Sequence, residues 1–345
     1  MSLFHAPGFD AHEHVSFFAD DSIGLRAIVA IHRTGALGTA GGGCRMWPYA
    51  DDDAALRDAL RLSRAMTYKL ALVELPAGGA KAVIIGDPAK DKSEALLLGM
   101  GRAVDRLGGR FIVGEDVGTN AADLAQIARA TMWVSRDRAS DTTNATAEGV
   151  LVCMRTAIAR RLGQRRLDGI RVAVQGLGHV GAALCARLAA AGARLWVSDV
   201  DRDAVARVVR ATGAVAVAPE AIFDVEADVF SPCALADALD AATIPRLRCS
   251  VVVGSANNQL AELQLGDELA RRGILHAPDI VANAGGALGA ASAVGGDGSG
   301  LRARLDSLGA LLDDVFARAE RQKSSPQVAA ERLARERFAN MGGRP

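Results

Sequence analysis

Two lysines and an aspartate have the types and spacing that proton transfer beside a bound carboxylate needs. Lys69 ends the segment Met66-Thr67-Tyr68-Lys69, and Lys81 ends Gly78-Gly79-Ala80-Lys81, just before the apolar run Ala82 to Ile85. Lysine is scarce in this chain: Lys69, Lys81, Lys90, Lys92 and Lys323 stand against 35 arginines, and four of the five fall within 24 residues. Arginine stays charged, whereas lysine can be tuned to act as a base, so a clustered lysine marks a task that arginine cannot perform. An ammonium beside apolar surroundings and a second cation loses solvation and suffers repulsion, and both push its pKa toward neutrality. Lys81 is expected in that situation, with Lys69 as the second cation, permanently charged and able to hold a substrate carboxylate. Gly78 and Gly79 would let the backbone approach a ligand. Lys90 and Lys92, in the polar stretch DPAKDK, read as surface residues. Asp116, in GEDVGT, follows a β-rich apolar run, and carboxylates at strand ends of open α/β folds often face a ligand crevice. Thr119 and Asn120 lie nearer the next helix and are its expected caps, which leaves Asp116 free for chemistry.

A second constellation is local. Gly176-Leu177-Gly178-His179-Val180-Gly181 fits G-x-G-x-x-G between an apolar strand and a helix, and a second strand ends at Asp199. That spacing matches a dinucleotide fingerprint in which the first glycine makes the turn, the second admits the pyrophosphate and the third lets helix and strand pack closely. The helix start adds amide donors and positive dipole. Asp199, as the ribose-binding acid, favours NAD; Arg202 nearby is the residue that a 2′-phosphate would use, and it reads more simply as a solvated helix-start arginine.

The elements that must position these groups alternate. GLRAIVAIH reads as a strand, Asp51 to Met66 as an amphipathic helix with acids at its positive end, KAVIIGDP as a strand and Ser93 to Leu107 as a helix capped by Ser93. FIVGEDVGT is a strand, and Ala121 to Ala130 a helix. Arg138 to Thr146 is polar and turn-like, a natural domain junction, and a long apolar helix is expected from about Ala147 to Arg161. Strand and helix then alternate through IRVAVQ, the glycine turn, ARLWVSD, ADVFSPC, SVVVGSANN and ILHAPDIVANAGG, which implies a parallel, doubly wound sheet. Gly295 to Gly300 reads as a break, and Leu301 to Phe338 as two helices split near Ser325-Pro326. The expected division is 1–137, 138–320 and a C-terminal helix at 321–345 that returns to the first domain.

Composition narrows the classes. The net charge is zero, from 40 Lys+Arg and 40 Asp+Glu, with no basic block, which argues against nucleic acid or an anionic membrane as partner. With 50% hydrophobic and 23% charged residues the chain is globular, and at ~150 residues per domain its length suggests two cores. No apolar run reaches the ~18 residues of a membrane span, and the first residues lack a signal pattern. Five scattered cysteines, never C-x-x-C, read as reduced thiols in a cytoplasmic protein. His12 and His14 lie near a terminus expected to be mobile and solvated, so no metal site is expected.

Taken together, these segments resemble the glutamate/leucine/phenylalanine/valine dehydrogenase family, most of all its leucine and phenylalanine branch. GLRAIVAIH, GGCRMWPY, DALRLSRAMTYK, LPAGGAKAVIIGDPAKDK, GEDVGT, QGLGHVG, FSPCAL, GSANNQL, APDIVANAGG and VAAERLARERF stand in family order over most of the chain. Leu75 to Pro88 fits the active-site pattern throughout, with Ala80 in place of a more usual glycine. The resemblance implies an α/β fold: an N-terminal substrate and oligomerisation domain plus a Rossmann NAD-binding domain, in a homo-oligomer whose domains close on the substrate. It implies that Lys69 binds the substrate α-carboxylate, that Lys81 activates water and that Asp116 assists proton transfer at the amino group. Gly42 and Gly43 would line the crevice. Thr146 and Asn257 would sit near the nicotinamide with Ser255 and Ala256, and Asn258 would touch substrate or cofactor. Gly176, Leu177, Gly178, His179, Val180, Gly181 and Asp199 would bind the dinucleotide.

The implied reaction is reversible oxidative deamination of an L-amino acid to its 2-oxo acid and ammonium. Two departures stand out. Asp141 to Ala147 lacks the prolines of the family's G-D-P-S-P-x-T-A hinge. The side-chain pocket positions Gly41, Gly114, Ala287 and Ala290 are small, which favours an aromatic or bulky apolar substrate over leucine or valine. Glutamate is disfavoured because its side-chain carboxylate needs its own cation, a role for which only Arg45 is at hand. The rival readings are a catalytically silent dinucleotide-binding homologue and an oxidoreductase of the same scaffold with a different substrate; the latter has no need of paired lysines.

Overall fold

The computed structural model describes residues 3–135, 139–295 and 300–342. The chain divides into two compact units, Met1–Ala139 with Ala334–Pro345, and Ser140–Leu333. The expected boundary at 137/138 and the centre of the expected Gly295 to Gly300 break lie outside the described residues.

The first unit is built on a five-stranded sheet of β1 (His14–Asp20), β2 (Leu25–Ile31), β3 (Ala40–Trp47), β4 (Gly78–Ile85) and β5 (Phe111–Glu115), in the order β1-β2-β4-β3-β5. β1 and β2 are antiparallel, as are β2 and β4, while β4, β3 and β5 run parallel. One face packs Val29, Cys44, Met46, Ala82, Ile84 and Val113 against α2 (Glu94–Asp105) and α3 (Ala121–Ile127). The other face packs Ile28, Ala30 and Val83 against α1 (Asp52–Leu72). Side chains alternate along a strand, so this register places Lys81 with Val83, and Gly41, Gly43 and Arg45 opposite Cys44 and Met46, all on the α1 face.

Local signals hold where a cap or break sets an end. Asp51 caps α1, Ser93 caps α2, and Asn120 caps α3 in a reciprocal capping box with Asp123. Three expectations need correction. α1 runs past Met66 to Leu72, because buried Leu70, Ala71 and Leu72 continue its apolar face; Lys69 therefore sits in its last turn. α3 stops at Ile127. The N-terminal segment is anchored: His14 begins a paired strand, and buried His12 lies 3.1 Å through Nε2 from both Leu60 O and Ser63 Oγ. At the other end of the chain, Arg335 of the first unit donates to Tyr68 Oη (2.9 Å) and Arg337 donates to Leu72 O.

The second unit opens with α4 (Ala139–Leu162), so Ser140 to Thr146 is helix and not the expected turn. Proline disfavours helix at itself and at the residue before it. Without prolines in this segment, α4 begins a full two turns before Ala147. A six-stranded, wholly parallel sheet follows: β6 (Arg171–Gln175), β7 (Arg194–Ser198), β8 (Val215–Ala216), β9 (Val229–Pro232), β10 (Val251–Val252) and β11 (Leu275–His276), in the order β11-β10-β9-β6-β7-β8. Between and after them run α5 (His179–Ala190), α6 (Arg202–Thr212), α7 (Leu265–Arg271), α8 (Asp279–Ala282), α9 (Gly285–Gly295), α10 (Leu301–Gln322) and α11 (Pro326–Asn340). Strand order reverses between β6 and β9, and in doubly wound sheets ligands bind at the carboxyl ends of strands at such a switch point. Among the described residues no helix is long and apolar enough to cross a membrane.

Candidate active site

The first unit concentrates charge in its interior. Lys81 leaves the middle of β4 and is 3% exposed; its Nζ lies 3.0 Å from Asp116 Oδ2, just beyond β5. Arg45, on the intervening β3, donates through Nε to the same oxygen at 2.6 Å and through Nη1 to Asp58 Oδ2 of α1 at 2.8 Å. Tyr49 Oη donates to Asp58 Oδ2 at 2.5 Å. β4, β3 and α1 thus contribute Lys81, Arg45 and Asp58, and the segments just after β3 and β5 add Tyr49 and Asp116, to one covered network.

Burial is the largest influence on Lys81 and lowers its pKa; Asp116 opposes it and Arg45 adds to it. Burial would raise Asp116, but Lys81 and Arg45 overcome it and hold that carboxyl at about 2. At working pH Asp116 is therefore an ionised acceptor. Arg45 is a cation in direct contact with Asp116, a contact that the sequence did not single out. Lys69 is buried in the last turn of α1. Arg45 has both ends of its guanidinium on Asp116 and Asp58, so it is not the free cation that a glutamate side chain would need. Of the two lysines expected at the surface, Lys90 is exposed, whereas Lys92 is largely covered and bonded to Asp123 at 2.7 Å.

The glycines around Lys81 separate into two kinds. A Cβ at Gly78 would lie 1.8 Å from Arg33 O, and one at Gly79 would lie 2.0 Å from Thr67 N. These two residues let the chain approach Arg33 and α1, which is a packing role and not the expected approach to a ligand. Thr67 Oγ1 accepts the Gly79 N–H at 3.1 Å and so ties the segment leading to Lys81 to the helix that carries Lys69. A Cβ would meet Ala80 O at 1.7 Å from Gly42, and Glu115 O at 2.5 Å and Asp116 Cβ at 2.8 Å from Gly43. Gly41 is different: a Cβ there meets nothing within 4 Å, and one at Gly114 meets nothing nearer than 3.8 Å. Both positions therefore have open space beside them.

The second unit offers backbone instead. Gly176 has φ +94° and packs so closely that a Cβ would lie 2.6 Å from Ala234 N. A Cβ at Gly181 would lie 2.0 Å from Gly176 O. Gly178 is the N-cap of α5, makes no side-chain cap bond and has nothing within 4 Å of a Cβ. The first amides of a helix have no partner inside it, so His179, Val180 and Gly181 present donors at an open, electropositive start. Asp199 accepts from Leu177 N–H through Oδ2 (2.5 Å) and from Asp201 N–H through Oδ1 (2.9 Å), which fixes its carboxylate beside the turn. Arg202 is the exposed first residue of α6. This cradle fits the pyrophosphate and ribose of a dinucleotide.

The loop after β10 is held by Asn283, whose Nδ2 donates to Ser255 O (3.1 Å) and Asn257 Oδ1 (2.9 Å), while Ala256 N–H donates to Pro232 O (3.0 Å). Asn258 has φ +50°, donates its N–H to Asp279 Oδ2 (2.7 Å) and has a buried Nδ2 without a hydrogen-bond partner. Such a strained, part-satisfied asparagine is the kind of group that a ligand completes. Thr146 donates to Thr142 O (2.7 Å) on α4, and Gly286 of α9 leaves room for its hydroxyl. Ala287 and Ala290, three residues apart on α9, are half-buried.

Residues 12–133 match the model for the Glu/Leu/Phe/Val dehydrogenase dimerisation domain, and residues 139–205 and 196–339 match the Glutamate/Leucine/Phenylalanine/Valine dehydrogenase model. A leucine dehydrogenase of Geobacillus stearothermophilus is 43% identical, covering 99% of this chain and 94% of its own. A valine dehydrogenase of Streptomyces coelicolor is 42% identical, covering 100% and 96%. The crystal structure of L-tryptophan dehydrogenase from Nostoc punctiforme superposes with a TM-score of 0.77 at 41% identity, covering 96% of this chain and 97% of that one.

Proposed function

The chain belongs to the glutamate/leucine/phenylalanine/valine dehydrogenase family, amino acid dehydrogenases that act on a CH–NH2 group with a nicotinamide dinucleotide, and from that premise we propose that it is an NAD-dependent dehydrogenase of a bulky apolar L-amino acid. The buried Lys81–Asp116 pair is the observation that carries the chemistry. Lys69 holds the substrate α-carboxylate. Lys81, its charge disfavoured by burial, takes the proton from the water that attacks the iminium carbon. Asp116, ionised throughout, accepts a hydrogen bond from the amino group and steers its proton as the carbinolamine collapses to 2-oxo acid and ammonium. A nicotinamide dinucleotide held by the second unit supplies the acceptor for the hydride that leaves Cα. Gly176 to Gly181 take its pyrophosphate, and Thr146, Ser255, Ala256, Asn257 and Asn258 its nicotinamide end. Asp199 takes the ribose, and its charge repels a 2′-phosphate, which supports NAD over NADP.

The open space at Gly41 and Gly114 supports an aromatic or large aliphatic side chain; leucine and valine come next, matching the names of the relatives. Glutamate is disfavoured because Arg45 is committed to two acids. The matched dimerisation domain supports a homo-oligomer, which light scattering would test. The substrate reading is tested by following NADH formation with NAD and a panel of L-amino acids at alkaline pH. Phenylalanine or tryptophan above leucine is the expected result, and the reverse order refutes the wide pocket.

A further inference from the structure

We propose that Arg45 and Asp58 form a charge clamp that positions Asp116 against Lys81 and sets how readily Lys81 gives up its proton. The clamp rests on the reading of Lys81 as the general base and extends it to two residues outside the reacting pair. Arg45 spends its guanidinium on two different carboxylates, Nε on Asp116 Oδ2 and Nη1 on Asp58 Oδ2. The oxygen that Arg45 holds is the one that Lys81 reaches. A planar, permanently charged fork can bridge two carboxylates at fixed angles, as a lysine cannot. All four charged side chains are covered, with 4% of Lys81, 10% of Arg45, 14% of Asp116 and 18% of Asp58 exposed. Buried charges persist only when compensated, and this set of two cations and two anions is balanced. Tyr49 fixes the far end by donating to Asp58.

The other groups near Lys81 do not replace the clamp. α1 contributes Lys69 besides Asp58. Cys44 lies on the opposite face of β3, its thiol kept neutral by burial, which raises its pKa to about 12. Glu115 points to the opposite face of β5, and Asp123 is bonded to Lys92. Arg45 and Asp58 therefore act on Lys81 with opposite sign. Arg45 disfavours its proton and Asp58 favours it.

A merely structural role predicts that removing either partner harms the enzyme in the same way; the clamp predicts opposite displacements. The test is the pH dependence of kcat/KM for the best amino acid at saturating NAD, beside an NMR titration of protein labelled with [ε-13C]lysine. With five lysines, the Lys81 resonance is assigned by its loss in Lys81→Arg. Arg45→Met should move the Lys81 titration and the rising limb of kcat/KM to higher pH. Asp58→Asn should move both to lower pH, and Arg45→Lys should bring them back toward wild type. Asp58→Asn is nearly isosteric, so it carries the test even if Arg45→Met fails to fold. An unmoved Lys81 titration, or displacement in the same direction by both variants, overturns the clamp. A Lys81 titration that moves as expected while the kcat/KM limb stays put upholds the clamp and overturns Lys81 as the base.

Discussion

The two units solve opposite physical problems. The first holds ionised side chains out of water, where each charge is costly unless paired, and it gathers them from positions 45 and 81 on two strands, 58 on a helix and 116 just past a third strand. The second holds almost no charge at its glycine turn. It exposes backbone amides at the start of α5 and uses one carboxylate, Asp199, tethered to the turn. Electrostatics in a low-dielectric interior can shift a proton affinity, which is what a base requires. Backbone donors at a helix start give anion binding that does not depend on protonation, which is what a cofactor requires. On the proposed reading, the chemistry depends on buried side chains and pyrophosphate binding on exposed backbone.

Substitutions that add or remove a methyl group test this division most severely. Gly42→Ala places a Cβ 1.7 Å from Ala80 O and should cost at least about 3 kcal/mol, read as lost yield and a lower Tm. Gly41→Ala, one residue away with nothing within 4 Å, should change stability by less than about 0.5 kcal/mol. Equal losses from the two would show that the pocket face is packed. Gly181→Ala forces the turn apart at Gly176 O and should weaken NADH binding about 100-fold by fluorescence titration, with the Lys81 titration unmoved. Asp199→Ala removes the proposed ribose acceptor and the partner of Leu177 N–H. It should raise the Kd for NADH about tenfold at nearly constant kcat. A fall in kcat at constant Kd would move Asp199 to the chemical side of the comparison. The smallest effect is on specificity: Gly41→Ala should lower kcat/KM for tryptophan relative to leucine about tenfold.

The same contrast explains what the sequence disclosed. The glycine turn is contiguous: Gly176 and Gly181 are required by close contacts with their surroundings, and Gly178 stands in open space at the start of α5. Ser93, Asn120 and Pro326 act within a few residues of themselves and were equally legible. The charge cluster spans 71 residues between Arg45 and Asp116. Lys81 and Asp116 could be singled out by scarcity and strand-end position, but their partner Arg45 could not, because β3 begins as a run of glycines that hides its alternation. Had the phase Gly41-Gly43-Arg45 against Cys44-Met46 been followed, it would have placed Arg45 on the face of Lys81. Asp58 and Tyr49 carry no local signal. The start of α4 is not legible because polar residues suggest a turn, although nothing in this segment, such as a proline, bars a helix.

The account stands most directly on one paired measurement: NADH formation from NAD and the best L-amino acid, and NADH affinity, in wild type and in Lys81→Ala. The division of labour predicts that turnover disappears while the Kd for NADH is unchanged. Turnover retained in Lys81→Ala, or lost together with NADH binding, would contradict it.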